Sequence, residues 1–315
     1  MIKLDLITGF LGAGKTTFLK YYAKYFLRKG EKICIIENDF GAINIDRVLL
    51  QDLEGDNCNL EMIVGGDGAE AHKRRLKTKL ISMAMLGFDR VIVEPSGIFD
   101  VDEFFDLVYE EPLDRWYEIG NVIAILDPGV VKSLSDSSRN VLVSELAQAG
   151  TVVISRSDEY SVQMKAEAAD MVNSAMLELG CQHDLTDKLI IDKNFGNLDD
   201  KDFDEIVKRR FNHNSHVKVT GLGMSEFQTF FYFDFAMEIN QLKNTLTKML
   251  NDNACGNIHR VKGVVDMGDG RMVEINSTRY GISTNTVNSE RAVLIVIGEN
   301  INVNELEKYL GKPTL

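Results

Sequence analysis

Residues 9–16 read GFLGAGKT. The spacing is G-x-x-x-x-G-K-[ST], and its neighbours decide what it means. An apolar run, IKLDLI (2–7), precedes it, and a helix-like stretch, Thr17–Leu27, follows. Strand, glycine loop and helix in that order are the setting in which such a loop wraps a phosphate chain. The glycines let backbone N–H groups turn inward, and the helix N-terminus adds the positive end of its dipole. Gly12, Ala13, Gly14, Lys15, Thr16 and Thr17 are therefore candidate nucleotide-binding residues. Lys15 is expected to reach the β- and γ-phosphates, and the Thr16 hydroxyl to ligate Mg²⁺.

Outward from that loop, short apolar runs alternate with helix-length stretches. KICIIE, LEMIV, RVIVE, VIAIL and TVVIS are the strand candidates after IKLDLI. They are nearly continuously apolar, as strands covered on both faces must be. The rhythm predicts an α/β fold: a mostly parallel sheet flanked by helices over residues 1–212. Beyond that the pattern changes. QTFFYFDF, IHRVKGVVDM, RMVEIN, RYGIS and AVLIVIG are strand-like, with helices near Ile239–Leu250 and Val303–Leu310. Residues 213–315 read as a smaller α+β domain with an antiparallel sheet.

The 315 residues carry a net charge of −13, which argues against nucleic acid or an anionic membrane as the main partner. Lys73-Arg74-Arg75 is a local basic cluster, read as a solvated helix start. No apolar run is long enough to span a bilayer, and MIKLDLITGF lacks the pattern of a secretory leader. A cytoplasmic location is expected. The four cysteines, Cys34, Cys58, Cys181 and Cys255, are scattered, with no C-x-x-C pair.

RVIVEPSG (90–97) is a strand ending in an acid; Glu94 is the candidate beside Mg²⁺, and Gly97 stands where a backbone N–H could approach a γ-phosphate. ENDFGAINID (37–46) is a loop with acids at 37, 39 and 46, able to order around Mg²⁺ and γ-phosphate. Asp46 joins Lys15 and Glu94 as a candidate catalytic group, and joins Thr16 and Glu94 as a candidate Mg²⁺ ligand. VVISRSD (152–158) ends a later strand where GTPases place Asn-Lys-x-Asp. Asp158 can accept from guanine N1–H and the 2-amino group, a donor pair adenine lacks. Arg156 can stack on the base as a lysine stem does, while Ser155 replaces Asn.

Taken in order, TGFLGAGKTT (8–17), ENDFGAINID (37–46), VEPSG (93–97), AILDP (124–128), SRSD (155–158), RVKG (260–263) and LIVIG (294–298) resemble the motifs of the CobW-like GTPases. These are relatives of the nickel-inserting GTPases of urease and hydrogenase maturation. The resemblance implies a slow GTPase with GTP and Mg²⁺ as cofactors. It implies GTP and GDP as ligands and a metalloprotein or corrinoid protein as client. It also implies nucleotide-dependent delivery of metal or cofactor.

One departure stands out. Where the family carries Cys-x-Cys-Cys, this chain has Gly66, Asp67, Gly68 and Ala69. Asp67 and Glu70, three residues apart, are the remaining candidates for a transition metal, with His72 set to point away. A solvated helix N-terminus with favourably placed acids is the preferred reading there. His213 and His216 read as polar linker and His259 as part of a strand. Phe227 and FFYF (230–233) read as a core-and-edge strand, with a docking surface for a client or a second subunit as the sharper alternative. A nucleotide-binding regulator without metal cargo remains the competing function, and a small-molecule kinase a weaker one.

Overall fold

The computed structural model describes residues 1–39, 50–64, 69–97, 99, 101–132, 134–212, 214, 227–287, 289 and 291–314, with only the backbone at 38, 39, 64, 69 and 70. The chain divides into two compact units, Met1–Leu222 and Gly223–Leu315.

The first unit is built on a seven-stranded sheet in the order β3-β2-β4-β1-β5-β6-β7. The strands are β1 (Ile2–Thr8), β2 (Ile33–Asp39), β3 (Cys58–Val64), β4 (Arg90–Glu94), β5 (Tyr117–Leu126), β6 (Thr151–Ile154) and β7 (Leu189–Ile191). Every pairing is parallel. Each of the six apolar runs singled out in the sequence is a strand. β7, with three residues, is an additional one. β1 lies at the centre, so the loop after it opens between the C-terminal ends of β4 and β5. Helices α1 (Lys15–Arg28), α2 (Ala69–Ala84), α3 (Val101–Val108), α4 (Leu113–Trp116), α5 (Pro128–Val131), α6 (Asp136–Ala147), α7 (Val162–Glu178) and α8 (Asp200–Arg209) belong to this unit.

The core explains why α1 forms where it does. Phe18, Leu19, Tyr22, Ala23, Tyr25 and Phe26 are buried, a helical stripe facing the sheet. Tyr22 meets Phe26 edge to face at 4.8 Å between ring centroids, and Tyr25 lies 5.2 Å from Phe203 of α8. Each fully buried aromatic of this kind contributes about 1.5–3 kcal/mol. The stripe fixes the angle at which α1 leaves the loop at Gly9–Gly14.

Beneath the loop lies a buried charge. Asp5 is fully buried and accepts from Arg90 Nη1 at 2.7 Å, Tyr22 OH at 2.8 Å and Asn121 N at 2.8 Å. The register between β1 and β5 slips between Leu4 and Leu6, which turns Asn121 N toward the Asp5 side chain. A Cβ on Gly120 would sit 2.2 Å from Asp5 Oδ1, so only glycine fits. Arg90 also donates to Glu31 at 3.0 Å and lies 3.8 Å over the Phe26 ring. Burial pushes the Tyr22 phenol well up, and Asp5 pushes it further.

The second unit is a five-stranded antiparallel sheet in the order β11-β10-β9-β12-β8. Its strands are β8 (Phe227–Phe233), β9 (Asn257–Asp266), β10 (Met272–Thr278), β11 (Gly281–Val287) and β12 (Val293–Glu299), with α9 (Ile239–Leu250) and α10 (Val303–Leu310). Leu242, Leu246, Met249 and Leu306 pack with Ile258, Val261, Leu294 and Val296 in one core. The aromatic run Phe230–Phe233 falls on β8, an edge strand, and His259 on β9, where it bonds Glu299 at 3.0 Å.

Removing Arg90 leaves Asp5 an uncompensated buried charge. Arg90→Met is expected to destabilise the first unit by about 3–5 kcal/mol, and Asp5→Asn by less, because the amide oxygen still accepts. Urea unfolding followed by circular dichroism checks the order of the two.

Candidate functional site

The loop at Gly9–Gly14 is shaped by its ends. Gly14 has φ 99°, a left-handed conformation that a side chain would strain, and it caps α1 without a side-chain hydrogen bond. α1 has no acid in its first turn, and its first bond runs from Phe18 N to Gly14 O at 3.0 Å. The N–H groups ahead of that bond have no intrahelical acceptor, which leaves them to an anion at the helix start. Thr17 is exposed, whereas Lys15 and Thr16 are 5% and 8% exposed. Lys15 Nζ donates to Gly9 O at 2.7 Å, folding the cation over the loop.

The acid expected beside Mg²⁺ comes to the same place. Thr16 Oγ1 donates to Glu94 Oε1 at 2.8 Å, across 78 residues of chain. β4 ends beside both β1 and β2, and its register sets Glu94 against Glu37 of β2. Both carboxylates are buried. Gly97 closes the far side: a Cβ there would lie 2.7 Å from Leu11 N and 2.9 Å from Lys15 Nζ. Lys15, Thr16, Glu94 and Gly97 thus form one cluster at the end of β1. A hydroxyl, a carboxylate and a cation in that arrangement fit a divalent ion bound to a polyphosphate.

The other end of the cleft lies at the end of β6. Asp158 is exposed and, among the described residues, has no hydrogen-bond or ion-pair partner. Arg156 has φ 49° and donates through Nη1 to Asp127 Oδ2 at 2.7 Å. Ser155 is buried, and its hydroxyl has no hydrogen-bond partner among the described residues. Phe195, in the turn after β7, lies against Gly14: a Cβ there would meet Phe195 Cε2 at 3.4 Å and Ser155 Cβ at 3.8 Å. The two ends of the cleft therefore meet at Gly14.

Asp46 and Asp67 lie outside the described residues, as do His213, His216 and the side chain of Glu70. His72 is buried, 4% exposed. Among the described residues no group of three His, Cys, Asp or Glu side chains is placed to hold a metal ion. Cys34, Cys58 and Cys255 are buried, and burial pushes the Cys58 thiol up to about 11 and Cys34 higher still. Thiolate ligation is correspondingly disfavoured there.

Sequence reasoning missed three residues. Phe195 sits in FGN, a fragment with no strand or motif signal, and Asp127 was noticed only as part of AILDP. Glu145 is the third. It is fully buried on α6, and neither carboxylate oxygen has a hydrogen-bond partner among the described residues. Burial pushes its carboxyl well above the usual range, opposed by the field of Lys15. Its neighbour Ser144 accepts from Val101 N at 3.4 Å, which ties α6 to the start of α3.

A phosphate loop on a central parallel strand, with Thr16 bonded to an acid at the end of the adjacent strand, defines a P-loop nucleotide-binding protein. The sequence model described as CobW/HypB/UreG, nucleotide-binding domain, matches residues 4–178, and the chain belongs to this family. It is 30% identical over 159 residues to the zinc chaperone YeiR of Escherichia coli K12, covering 50% of this chain and 47% of that protein. To the zinc-regulated GTPase metalloprotein activator 1 of Schizosaccharomyces pombe it is 22% identical over 205 residues, covering 63% of this chain and 47% of that protein. The matched region spans about half the length of these relatives. The crystal structure of Zn(II)-bound YjiA GTPase from Escherichia coli aligns over 98% of this chain and 97% of that chain, at 17% identity and TM-score 0.41. That of HypB from Helicobacter pylori in complex with nickel covers 66% and 84%, at 18% identity and TM-score 0.41.

Glu145 gives a pH dependence with a definite sign. Burial favours the neutral carboxyl in the folded state, while the unfolded chain ionises it near about 4.3. Above that pH the folded state binds more protons, so this group's contribution to stability falls as pH rises. Glu145→Gln removes the fall. The variant is expected to gain on the wild type as pH rises from 5 toward 8, by up to about 1.4 kcal/mol per pH unit. Thermal unfolding across that range checks it, and parallel curves for the two proteins would refute it.

Proposed function

We propose that this chain binds GTP with Mg²⁺ at the cleft between Gly9 and Asp158 and hydrolyses it slowly, in the service of metalloprotein or corrinoid-protein maturation. The observation that carries the reading is the 2.8 Å contact between Thr16 Oγ1 and Glu94 Oε1, with Lys15 and Gly97 beside it. Thr16 and Glu94 would hold Mg²⁺, with Asp46 as a further ligand. When bound, the ion neutralises charge on the β- and γ-phosphate oxygens.

The chain's own residues do the rest. Lys15 exchanges the Gly9 carbonyl for phosphate oxygens. The N–H groups of Gly12 through Thr17 surround the β-phosphate, and the Gly97 N–H faces the γ-phosphate. Glu94 and Asp46 hold the reacting end in place and exclude alternative geometries for water. At the other end Asp158 accepts from guanine N1–H and the 2-amino group, and Arg156 covers the base. Slow turnover accords with the family resemblance. Zinc is the first cargo to test, because two similar proteins are named zinc chaperones.

A regulator without metal cargo is favoured by one observation: the segment Gly66-Asp67-Gly68-Ala69 carries no thiol, and three of the four cysteines are buried. The client, in that case, responds to nucleotide state alone.

Calorimetry with GTP and ATP in Mg²⁺ is expected to give at least about tenfold preference for GTP. Glu94→Gln and Thr16→Ala are expected to lower Mg²⁺-dependent phosphate release by on the order of 10²–10³. Tight ATP binding with no GTP binding would sink the reading. Zinc titration of the nucleotide-free and GTP-bound protein separates the two roles: sub-micromolar, nucleotide-sensitive binding excludes the regulator.

A further inference from the structure

The turn after β6 is gripped from two sides. β5 and β6 pair with Leu126 opposite Ile154, and Ser155 N donates to Leu126 O at 2.9 Å. Asp127, the next residue of β5's path, therefore stands beside the turn. Its side chain is closed to solvent. Oδ2 accepts from Arg156 Nη1 at 2.7 Å; Oδ1 accepts from Tyr160 OH at 2.7 Å and Gly129 N at 3.0 Å. Tyr160 is held against Gly129, where a Cβ would come within 2.5 Å of its hydroxyl. From the other side Asp192, just past β7, accepts from Ser157 Oγ at 2.6 Å and from Lys165 Nζ at 2.8 and 2.7 Å. Residues 156 and 157 are thus each committed to a carboxylate outside the turn, and Asp158 is left open.

The consequence for Arg156 is chemical. Its guanidinium is the group that would otherwise seek water or phosphate. With the head fixed on a buried carboxylate, the methylene stem is what the side chain can offer to a flat ring. Its left-handed backbone, φ 49°, is a conformation side chains avoid, and the grip at both ends holds it. We propose that Asp127 is a positioning residue for the nucleotide base: it anchors the Arg156 head, with Tyr160 bracing the same carboxylate, so that the Arg156 stem forms the stacking face beside Asp158. This rests on the assignment of the base to the SRSD turn.

The test is nucleotide binding by calorimetry in Mg²⁺, with GTP, GDP and inorganic tripolyphosphate, which has no base. Asp127→Asn keeps an acceptor but not the charge. It is expected to weaken GTP and GDP alike by about tenfold, the scale of a lost stacking contact, and tripolyphosphate by less than about twofold. Arg156→Ala, which removes the stem, is expected to match it, and the double variant to lose no more, because both remove one interaction. Unchanged GTP affinity overturns the proposal. Equal weakening of tripolyphosphate overturns it too, by showing damage to the phosphate loop, and so does additive loss in the double variant. Should Asp127→Asn fail to fold, Tyr160→Phe serves: a loss of about threefold for GTP and GDP with tripolyphosphate unmoved supports the role, and no loss overturns it. The base assignment fails separately, if Arg156→Ala and Asp158→Asn both leave GTP binding and its preference over ATP unchanged.

Discussion

A single carboxylate, that of Asp5, holds the nucleotide-binding unit in register. Its oxygens join β1 to Arg90 of β4, to the Asn121 backbone of β5 and to Tyr22 of α1. A charge buried this deeply tolerates no sliding, since any strand shift would strip it of a partner in a medium that solvates ions poorly. Fixing β1 against β4 at this level also fixes the distance between their C-terminal ends. That is where Thr16 and Glu94 meet. The bulge opposite Asp5, with Gly120 beneath it, is the local irregularity that makes the arrangement fit.

Two of the groups at the phosphate end are bonded within the site. Lys15 bonds the Gly9 carbonyl, and the Thr16 hydroxyl bonds Glu94. A ligand entering there exchanges contacts instead of finding bare ones, so its affinity is a difference between two well-bonded arrangements. Glu145 behaves differently. It is a buried acid whose carboxylate oxygens have no hydrogen-bond partner among the described residues, and burial pushes its carboxyl well above the usual range. Such a group is a standing cost at neutral pH, and it sits on a helix tied to the beginning of α3.

Much of this was legible in the sequence because its signals are local. The loop motif, the acid ending RVIVE and the alternation of apolar runs each depend on residues a few positions apart. Parallel strand order then brings Thr16 to Glu94 without further specification. The rest depends on register and face. Asp127 meets Arg156 because β5 and β6 pair Leu126 with Ile154, a relation no spacing rule encodes. Glu145 is buried because of which face α6 turns to its neighbours, and α6 has mixed polarity on that face: Ser137, Ser138, Ser144 and Glu145 are all buried there. β7 is three residues long, too short to register as a strand pattern, so the turn carrying Phe195 went unremarked. The acids at 46 and 67, legible as candidates, lie outside the described residues.

The contact of Phe195 with Gly14 has a consequence for how the cleft divides its work. The ring links the wall beside the SRSD turn to the start of α1, and α1's own Phe18 meets it edge to face at 5.6 Å. On the proposed nucleotide assignment, base identity and phosphate number are judged in separate places, the first beside this aromatic partition, the second where Gly97 lies against Lys15. On that assignment the choice of nucleoside and the response to hydrolysis rest on separate residues, and a change at one end need not be answered at the other.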